Sequence, residues 1–480
     1  MLFNSIEFAI FLIIVFFLYW FVIKNNLRIQ NLLLLIASYF FYGWWNWRFL
    51  SLIITISLVD YMVGLGLSMQ VNPKRRKLLL LTSILLNIGL LGFFKYYNFF
   101  IESFVEAFSV FGKRINAHTL NIILPIGISF YAFKTLSYTI DVYKRKFEPT
   151  KDIIAYFAFV SFFPQLFAGP IERAADLLPQ FCTKRKFEYH KAVDGMRQIL
   201  WGLFQKVVIA DNCAQYANMI FKNYSDYSGS TLMLGAIFFT FQIYGDFSGY
   251  SDIAIGTSRL FGFNSMRNFA FPYFSRDIAE FWRRWHISLC TWFRDYVYIP
   301  LGGSRCGTLM KIRNTFIIFL LSGLWHGANW TFIAWGFINA SYFLPLMLLK
   351  RNRKNLNIAA EGKIFPSIRE LSQIGITFML TTLAWIFFRA ENMHQALFYL
   401  AGIFSPTIIS IPRGISKIML LILILAVFFS IEWLQRDKQH ALQIDNIKTP
   451  RLVRWGLYYV VIFLIFWFGG IQQPFIYFQF

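Results

Sequence analysis

The sequence predicts an all-α, polytopic integral membrane protein of about 11–12 transmembrane helices, with re-entrant or interfacial segments between them. Three observations lead there. The chain has more apolar residues than a soluble fold can bury, its apolar runs are long enough to cross a bilayer, and its basic residues gather in short bursts between those runs.

Of 480 residues, 57% are apolar, 20% are aromatic and only 15% are charged, and the mean hydropathy is +0.51. A soluble chain has about 25% charged and about 45–50% apolar residues. At this length it would make about three soluble domains, which could not hide 58 phenylalanines. A bilayer removes the difficulty, because lipid tails are as apolar as leucine.

A span needs roughly 20 mostly apolar residues to cross about 30 Å of hydrocarbon. Strong candidates are 7–23, 31–46, 49–69, 78–95, 122–142, 231–252, 329–349, 372–389, 415–434 and 453–471. Two weaker ones are 196–212, which carries Lys206 and Asp211, and 314–325, which is short. Residues 152–168 end in Phe163-Pro164 before Gly169-Pro170, which break helices, so a re-entrant segment is expected there. The first run lacks a basic segment before it and a small-residue cleavage site after it, and reads as a retained helix rather than a signal peptide.

The net charge of +22 does not indicate nucleic acid, which requires a basic face on a soluble module. The charge sits in Lys74–Lys77, Lys144–Lys146, Lys184–Lys186 and Lys350–Lys354, the pattern of cytoplasmic loops that meet anionic headgroups. With 24–28 and 436–454 placed on the same side, both termini are expected to be extracytoplasmic, and twelve crossings satisfy that parity. The four cysteines are scattered, with neither a CxxC pair nor a zinc-ligand pattern, so no disulfide framework and no metal site are expected. No repeat or long linker appears, so residues 1–480 read as a single membrane domain with a motif-rich core at about 122–390.

Ionisable side chains at membrane depth cost about 2.5–3.5 kcal/mol on insertion scales, which makes each a candidate for function. Three stretches collect them. In Ser322-Gly-Leu-Trp-His326-Gly-Ala-Asn329-Trp330, a histidine lies between apolar runs, and its imidazole can exchange a proton near neutral pH. Gly327 beside it would let a substrate approach closely. A buried histidine that merely hydrogen-bonds a neighbouring helix is an equal alternative. In Phe281 to Gly303, Arg283, Arg284 and Arg294 could grip phosphate or pyrophosphate, or anchor an interfacial helix, and His286 is a second candidate for chemistry. In Gln242 to Asp252, Asp246 could orient a histidine, bind a cation or pair with an embedded arginine, while Asp252 reads as a helix-end residue. No Walker A, Rossmann, HExxH or GxSxG pattern is present, which argues against an ATPase, a zinc protease and a serine hydrolase.

These residues carry a resemblance. Pro125–Tyr131, Leu136–Asp141, Phe163–Ile171, the Asp246 stretch, Phe281–Gly303, Trp325-His326-Gly327, Trp385–Ala390 and Phe475–Phe480, in that order, resemble the membrane-bound O-acyltransferase superfamily, in its branch of bacterial alginate O-acetylation proteins. The resemblance implies a multi-helix fold around a central tunnel, with His326 as the principal catalytic histidine and His286 as the upstream polar position. It also implies acetyl-CoA as a cytoplasmic acyl donor with no bound cofactor, and a separate periplasmic or membrane-anchored acyltransferase as partner, since no soluble domain is visible. The residues fit an acyl transfer: a base must deprotonate the nucleophile and a donor or cation must stabilise the oxyanion. His326 suits the first role; His286, a backbone N–H or an arginine could fill the second. Peptidoglycan O-acetylation and teichoic acid D-alanylation are alternative acceptor chemistries. A transporter or an export scaffold is the non-enzyme alternative, although no paired broken helices are seen.

Overall fold

The computed structural model describes residues 1–24, 26–110, 119–120, 122–167, 169–444, 450–470 and 473–476. Ala168 and residues 477–480, which complete two of the sequence landmarks, lie outside the described residues, as do residue 25 and residues 445–449 of the two flanking basic segments. Among the described residues the chain is helical, with no strand. It forms two compact units, one of residues 1–192 and 257–266, the other of 193–256 and 267–480.

Among the described residues, five helical stretches are long and apolar enough to cross a membrane: Leu27–Met69, Pro73–Phe108, Trp330–Leu348, Ile368–Arg389 and Arg451–Phe468. Ile6–Val22, Ile153–Gln165 and Ile418–Leu434 are shorter and apolar. The 43-residue stretch is two helices, Leu27–Asn46 and Leu50–Met69. They part where the Asn46 side chain accepts the Arg48 N–H at 3.1 Å, which restarts the chain at Trp47–Phe49. The expected helix over 122–142 begins only at Ile128, behind Gly127 in the left-handed region. The break expected at Phe163-Pro164 is present: the Ile153–Ser161 helix stops there and a single 3₁₀ turn follows.

In the first unit, two of the basic bursts turn inward. Arg76 is buried and donates to the Leu67, Gln70 and Tyr143 carbonyls, where one helix ends and another is finishing. Arg185 is likewise buried, donating to Gln180 O in the last turn of Ala174–Cys182 at 3.0 Å and to Asn31 Oδ1 at 2.7 Å, with its guanidinium over the Phe263 ring. These guanidiniums satisfy carbonyls that a helix leaves open at its C-terminal end, so the bursts are part structural and only part available to headgroups.

The second unit is built on two close helix crossings made by glycine. In the first, a Cβ on Gly202 would lie 2.5 Å from Gly249 O and one on Gly256 2.4 Å from Gly195 O. The Tyr189–Phe204 helix therefore meets the 32-residue Gly229–Leu260 helix backbone to backbone. In the second, Gly323 abuts Phe332 O and Gly336 abuts Phe319 O, which clamps the Thr308–His326 helix against Trp330–Leu348. The first crossing brings Lys206 to Asp246, and the second sets the position of His326.

Candidate functional site

His326 is the last residue of the Thr308–His326 helix, and Gly327 follows in extended backbone. Two residues later Asn329 starts the next helix, accepting the Thr331 N–H at 3.0 Å and donating to Glu391 O at 2.8 Å. The sequence therefore places His326 at the corner of a tight helical hairpin, and Asn329 acts there as a cap rather than as a group facing His326. The space beside Gly327 is filled by the Phe332 ring, to which an added Cβ would approach within 2.1 Å. The glycine makes room for protein packing, which corrects the expectation of substrate approach.

The His326 ring is buried among aromatics. Its centroid lies 4.8 Å from Trp325, 5.2 Å from Trp335 and 5.1 Å from Phe388, each near edge-to-face. His286 also packs on Trp325, at 5.8 Å. One indole thus touches both imidazoles, which can be no further apart than those two distances laid end to end. From His286 the contacts continue through Phe269, Trp285, Trp385 and Trp335 back to His326, closing a circuit of seven side chains. The apolar circuit excludes water and lowers the local dielectric, which strengthens any polar interaction inside it.

His286 has its geometry fixed by hydrogen bonds. It joins the short helices Ile278–Arg284 and Ile287–Phe293 in the left-handed region, φ 42°, rare for a residue with a Cβ. Two backbone bonds to the neighbouring segment hold it there, Ala270 N–H to Arg284 O and Ile287 N–H to Asn268 O, both 2.9 Å. Asn268 then sets the tautomer. Its Oδ1 accepts the Ser288 backbone N–H at 3.3 Å and the Ser288 hydroxyl at 2.9 Å, while its Nδ2 donates to Ser251 Oγ at 3.0 Å. The atom facing His286 Nδ1 at 3.1 Å is therefore an acceptor, so Nδ1 carries the proton. Nε2 keeps its lone pair, and no described residue bonds it. Burial pushes this imidazole down to about 3, so the ring is neutral.

The other expected residues lie elsewhere in the unit. Asp246 touches neither histidine; it pairs with Lys206 at 2.7 Å and accepts the Ile476 N–H at 2.7 Å. The pairing expected with an arginine is made with a lysine. Asp252 is not at a helix end but inside Gly229–Leu260, where it accepts from Gln198 at 2.7 Å. Arg283 donates to the Asn352 and Asn355 carbonyls, at 2.8 and 2.6 Å. Arg284 pairs with Glu280 at 2.9 Å and donates to Asn357 O at 3.0 Å. Both tie down the 352–357 loop, so these donors are already spent within the chain. Arg294 is mostly exposed and pairs with Asp295 at 2.6 Å. Sequence reasoning missed Asn268, Ser251 and Lys206. The available signal was weak: Asn268 is one of three uncharged Asn and Ser residues between Phe263 and Phe274, eighteen residues before His286. No group of three or more His, Cys, Asp or Glu side chains able to hold a metal occurs among the described residues.

The sequence model of the membrane-bound O-acyltransferase family matches residues 39–411. The chain is 42% identical over 381 residues to the probable alginate O-acetylase of Pseudomonas putida, covering 79% of this chain and 75% of that protein. It is 35% identical over 431 residues to the peptidoglycan O-acetyltransferase of Helicobacter pylori, covering 84% and 79%. It is 27% identical over 288 residues to the teichoic acid D-alanyltransferase of Bacillus subtilis, covering 57% and 71%.

The tautomer can be tested directly. Asn268→Leu leaves the buried Nδ1–H only the Ser288 hydroxyl, at 3.4 Å, which should cost about 1–3 kcal/mol of stability and free the ring to exchange tautomers. Asn268→Asp keeps the acceptor and should keep the tautomer. ¹⁵N imidazole shifts and detergent melting measure both; a leucine variant matching the parent in each would refute the assignment.

Proposed function

The chain belongs to the membrane-bound O-acyltransferase family, and on that premise we propose that it moves an acetyl group from acetyl-CoA on the cytoplasmic side toward O-acetylation of an extracytoplasmic polysaccharide, alginate or another exopolysaccharide. It is a multi-pass membrane O-acyltransferase. The observation that carries the mechanism is the pair of buried histidines on one indole, one of them with a fixed tautomer and an open lone pair.

In the reaction a hydroxyl oxygen bonds to the thioester carbonyl carbon, the C–S bond breaks, and the hydroxyl proton ends on the leaving thiolate. A base must hold that proton in between. His326 is assigned this role. It ends a helix, where the partial negative charge of the carbonyl terminus favours an imidazolium. His286 Nε2 is an acceptor and cannot donate to an oxyanion while Nδ1 carries the proton, so the oxyanion role left open for it does not fit. It fits instead as the acceptor that orients the nucleophile's O–H. Oxyanion stabilisation falls to other donors, and Arg283 and Arg284 are poor candidates because their protons already hold the 352–357 loop.

Acceptor identity is the least constrained part of this reading. The higher identity to alginate-type relatives favours an exopolysaccharide, while the longer match to a peptidoglycan O-acetyltransferase keeps that polymer as the second reading. Mass spectrometry of exopolysaccharide and peptidoglycan from a deletion strain separates them: loss of acetyl from peptidoglycan alone would move the assignment.

His326→Gln keeps size and hydrogen bonding but cannot exchange a proton near neutrality. It should accumulate and melt like the parent while acetyl transfer falls by about 10²–10⁴-fold, and His286→Ala should show a partial defect. Normal acetylation in cells carrying His326→Gln would end the catalytic assignment. We further infer that a periplasmic or membrane-anchored acyltransferase receives the group and that both termini are extracytoplasmic, with the basic loops inside. The partner should co-purify; full-rate polysaccharide acetylation by the purified chain alone would remove the need for it. A reporter fused after Phe480 should be silent if it works only in the cytoplasm, and strong cytoplasmic activity would invert the topology.

A further inference from the structure

The His286 side of the site is backed by Lys206, Asp246 and the segment Gln473–Ile476, to which the mechanism above gives no role. Lys206 lies in the π-helical segment Gln205–Ala210, between the Tyr189–Phe204 and Asp211–Lys222 helices. π-Turns of this kind are rare and often mark functional positions. Its ammonium has three protons, and each has a partner: Asp246 at 2.7 Å, Asp211 at 2.9 Å and the Gln473 carbonyl at 3.0 Å. The second oxygen of Asp246 accepts the Ile476 N–H at 2.7 Å. Lys206 is 1% exposed and Asp246 2%. The helices alone would leave one lysine proton and one carboxylate oxygen buried without partners. The backbone of Gln473–Ile476 supplies both.

Between those two backbone bonds lies Phe475, which is fully buried. Its ring is 4.2 Å from Tyr250 and 6.1 Å from Phe247. Phe247 in turn stands edge-to-face on His286 at 4.6 Å. Phe247 follows Asp246 directly in sequence, so the residue that binds the tail and the residue that touches the imidazole move together. A tail packed only by its apolar side chains would need none of this charge, and apolar packing is usually as stabilising as a buried ion pair or more so.

We propose that Lys206 and Asp246 are positioning residues: they latch the C-terminal segment Gln473–Ile476 into the core, and Phe475 and Phe247 thereby hold His286 against Trp325. The proposal rests on the reading of His286 as a working part of acyl transfer. The latch grips main-chain atoms and so fixes the register of the segment, while Phe475 supplies the wedge. Release of the latch leaves both histidines present but lets the His286 ring, and the lone pair it aims, lose its direction.

The test uses the full-length protein in detergent, with carboxypeptidase trimming and acetyl transfer from acetyl-CoA measured on the same samples. Asp246→Leu removes the acceptor for Ile476 yet leaves Lys206 paired with Asp211, so a lone buried charge is not created. It should raise the trimming rate of the tail at least about tenfold. It should lower kcat by at least about tenfold with KM nearly unchanged. Phe475→Ala leaves the charge cluster intact and should lower kcat in the same way, which keeps the test independent of how well Asp246→Leu folds. Combining either substitution with His286→Ala should add little further loss, because both act through the same ring. Unchanged trimming in Asp246→Leu would show that no latch exists. A released tail with normal kcat, or losses that multiply with His286→Ala, would show that the latch does not serve His286. Full activity in His286→Ala alone would instead strike the catalytic reading, and the trimming rates would still report the latch by themselves.

Discussion

The constraint on which the rest of this molecule depends is the absence of water from hydrocarbon. Backbone groups there must be satisfied by the chain itself, which forces helices, and each polar side chain must carry its partners with it. The second unit meets this rule around its histidines with few charges. Asn268 satisfies His286 Nδ1 and both donors of Ser288, and is itself anchored on Ser251. One amide oxygen therefore serves three donors while aromatic rings take up the remaining surface. His286 Nε2, on the ring that also touches Trp325, makes no hydrogen bond among the described residues.

The same rule explains where the positive charge goes. The basic bursts read as headgroup contacts, yet Arg76 and Arg185 are buried and close helix ends. Arg283 and Arg284, together with Arg436, donate to main-chain carbonyls between Asn352 and Lys363. A guanidinium offers five donors in a flat fork and is well suited to several carbonyls at once. Lys206 is different: three donors from one point gather two carboxylates and one carbonyl.

The architecture was legible in the sequence to the extent that hydropathy and helix breakers carry it. The start of the second helix pair after Asn46 and the stop before Phe163-Pro164 follow from local chemistry. The helices that hold the polar machinery were harder to read. Gly229–Leu260 extends beyond the expected run 231–252, and Tyr189–Phe204 only overlaps the weaker run 196–212; with Asp246, Asp252 and Lys206 on or beside them, neither is among the described stretches apolar enough to cross a membrane. Of the two candidate histidines, His326 is conspicuous because it interrupts apolar runs, and His286 because it follows two arginines among tryptophans. Asn268 is not, because its importance lies in one hydrogen bond to a residue eighteen positions away. Gly327 misled for a related reason: the sequence shows that a side chain is missing, and only the structure shows that Phe332 takes its place.

Two histidines in one apolar circuit would be redundant if they did the same work, and their surroundings indicate that they do not. A general base works best when its basicity lies near the pH at which it operates. His286, pushed down to about 3 by burial, stays neutral throughout the cellular range and takes up a proton poorly. It offers a lone pair of fixed direction, set by Asn268 on one side and by Phe247 on the other. His326 sits at the carbonyl end of a helix, where a positive charge is favoured. Burial opposes a charge on either ring, since His286 is 1% and His326 3% exposed. The two rings that share the Trp325 indole nevertheless have different polar surroundings, Asn268 facing His286 and a helix carbonyl terminus beside His326.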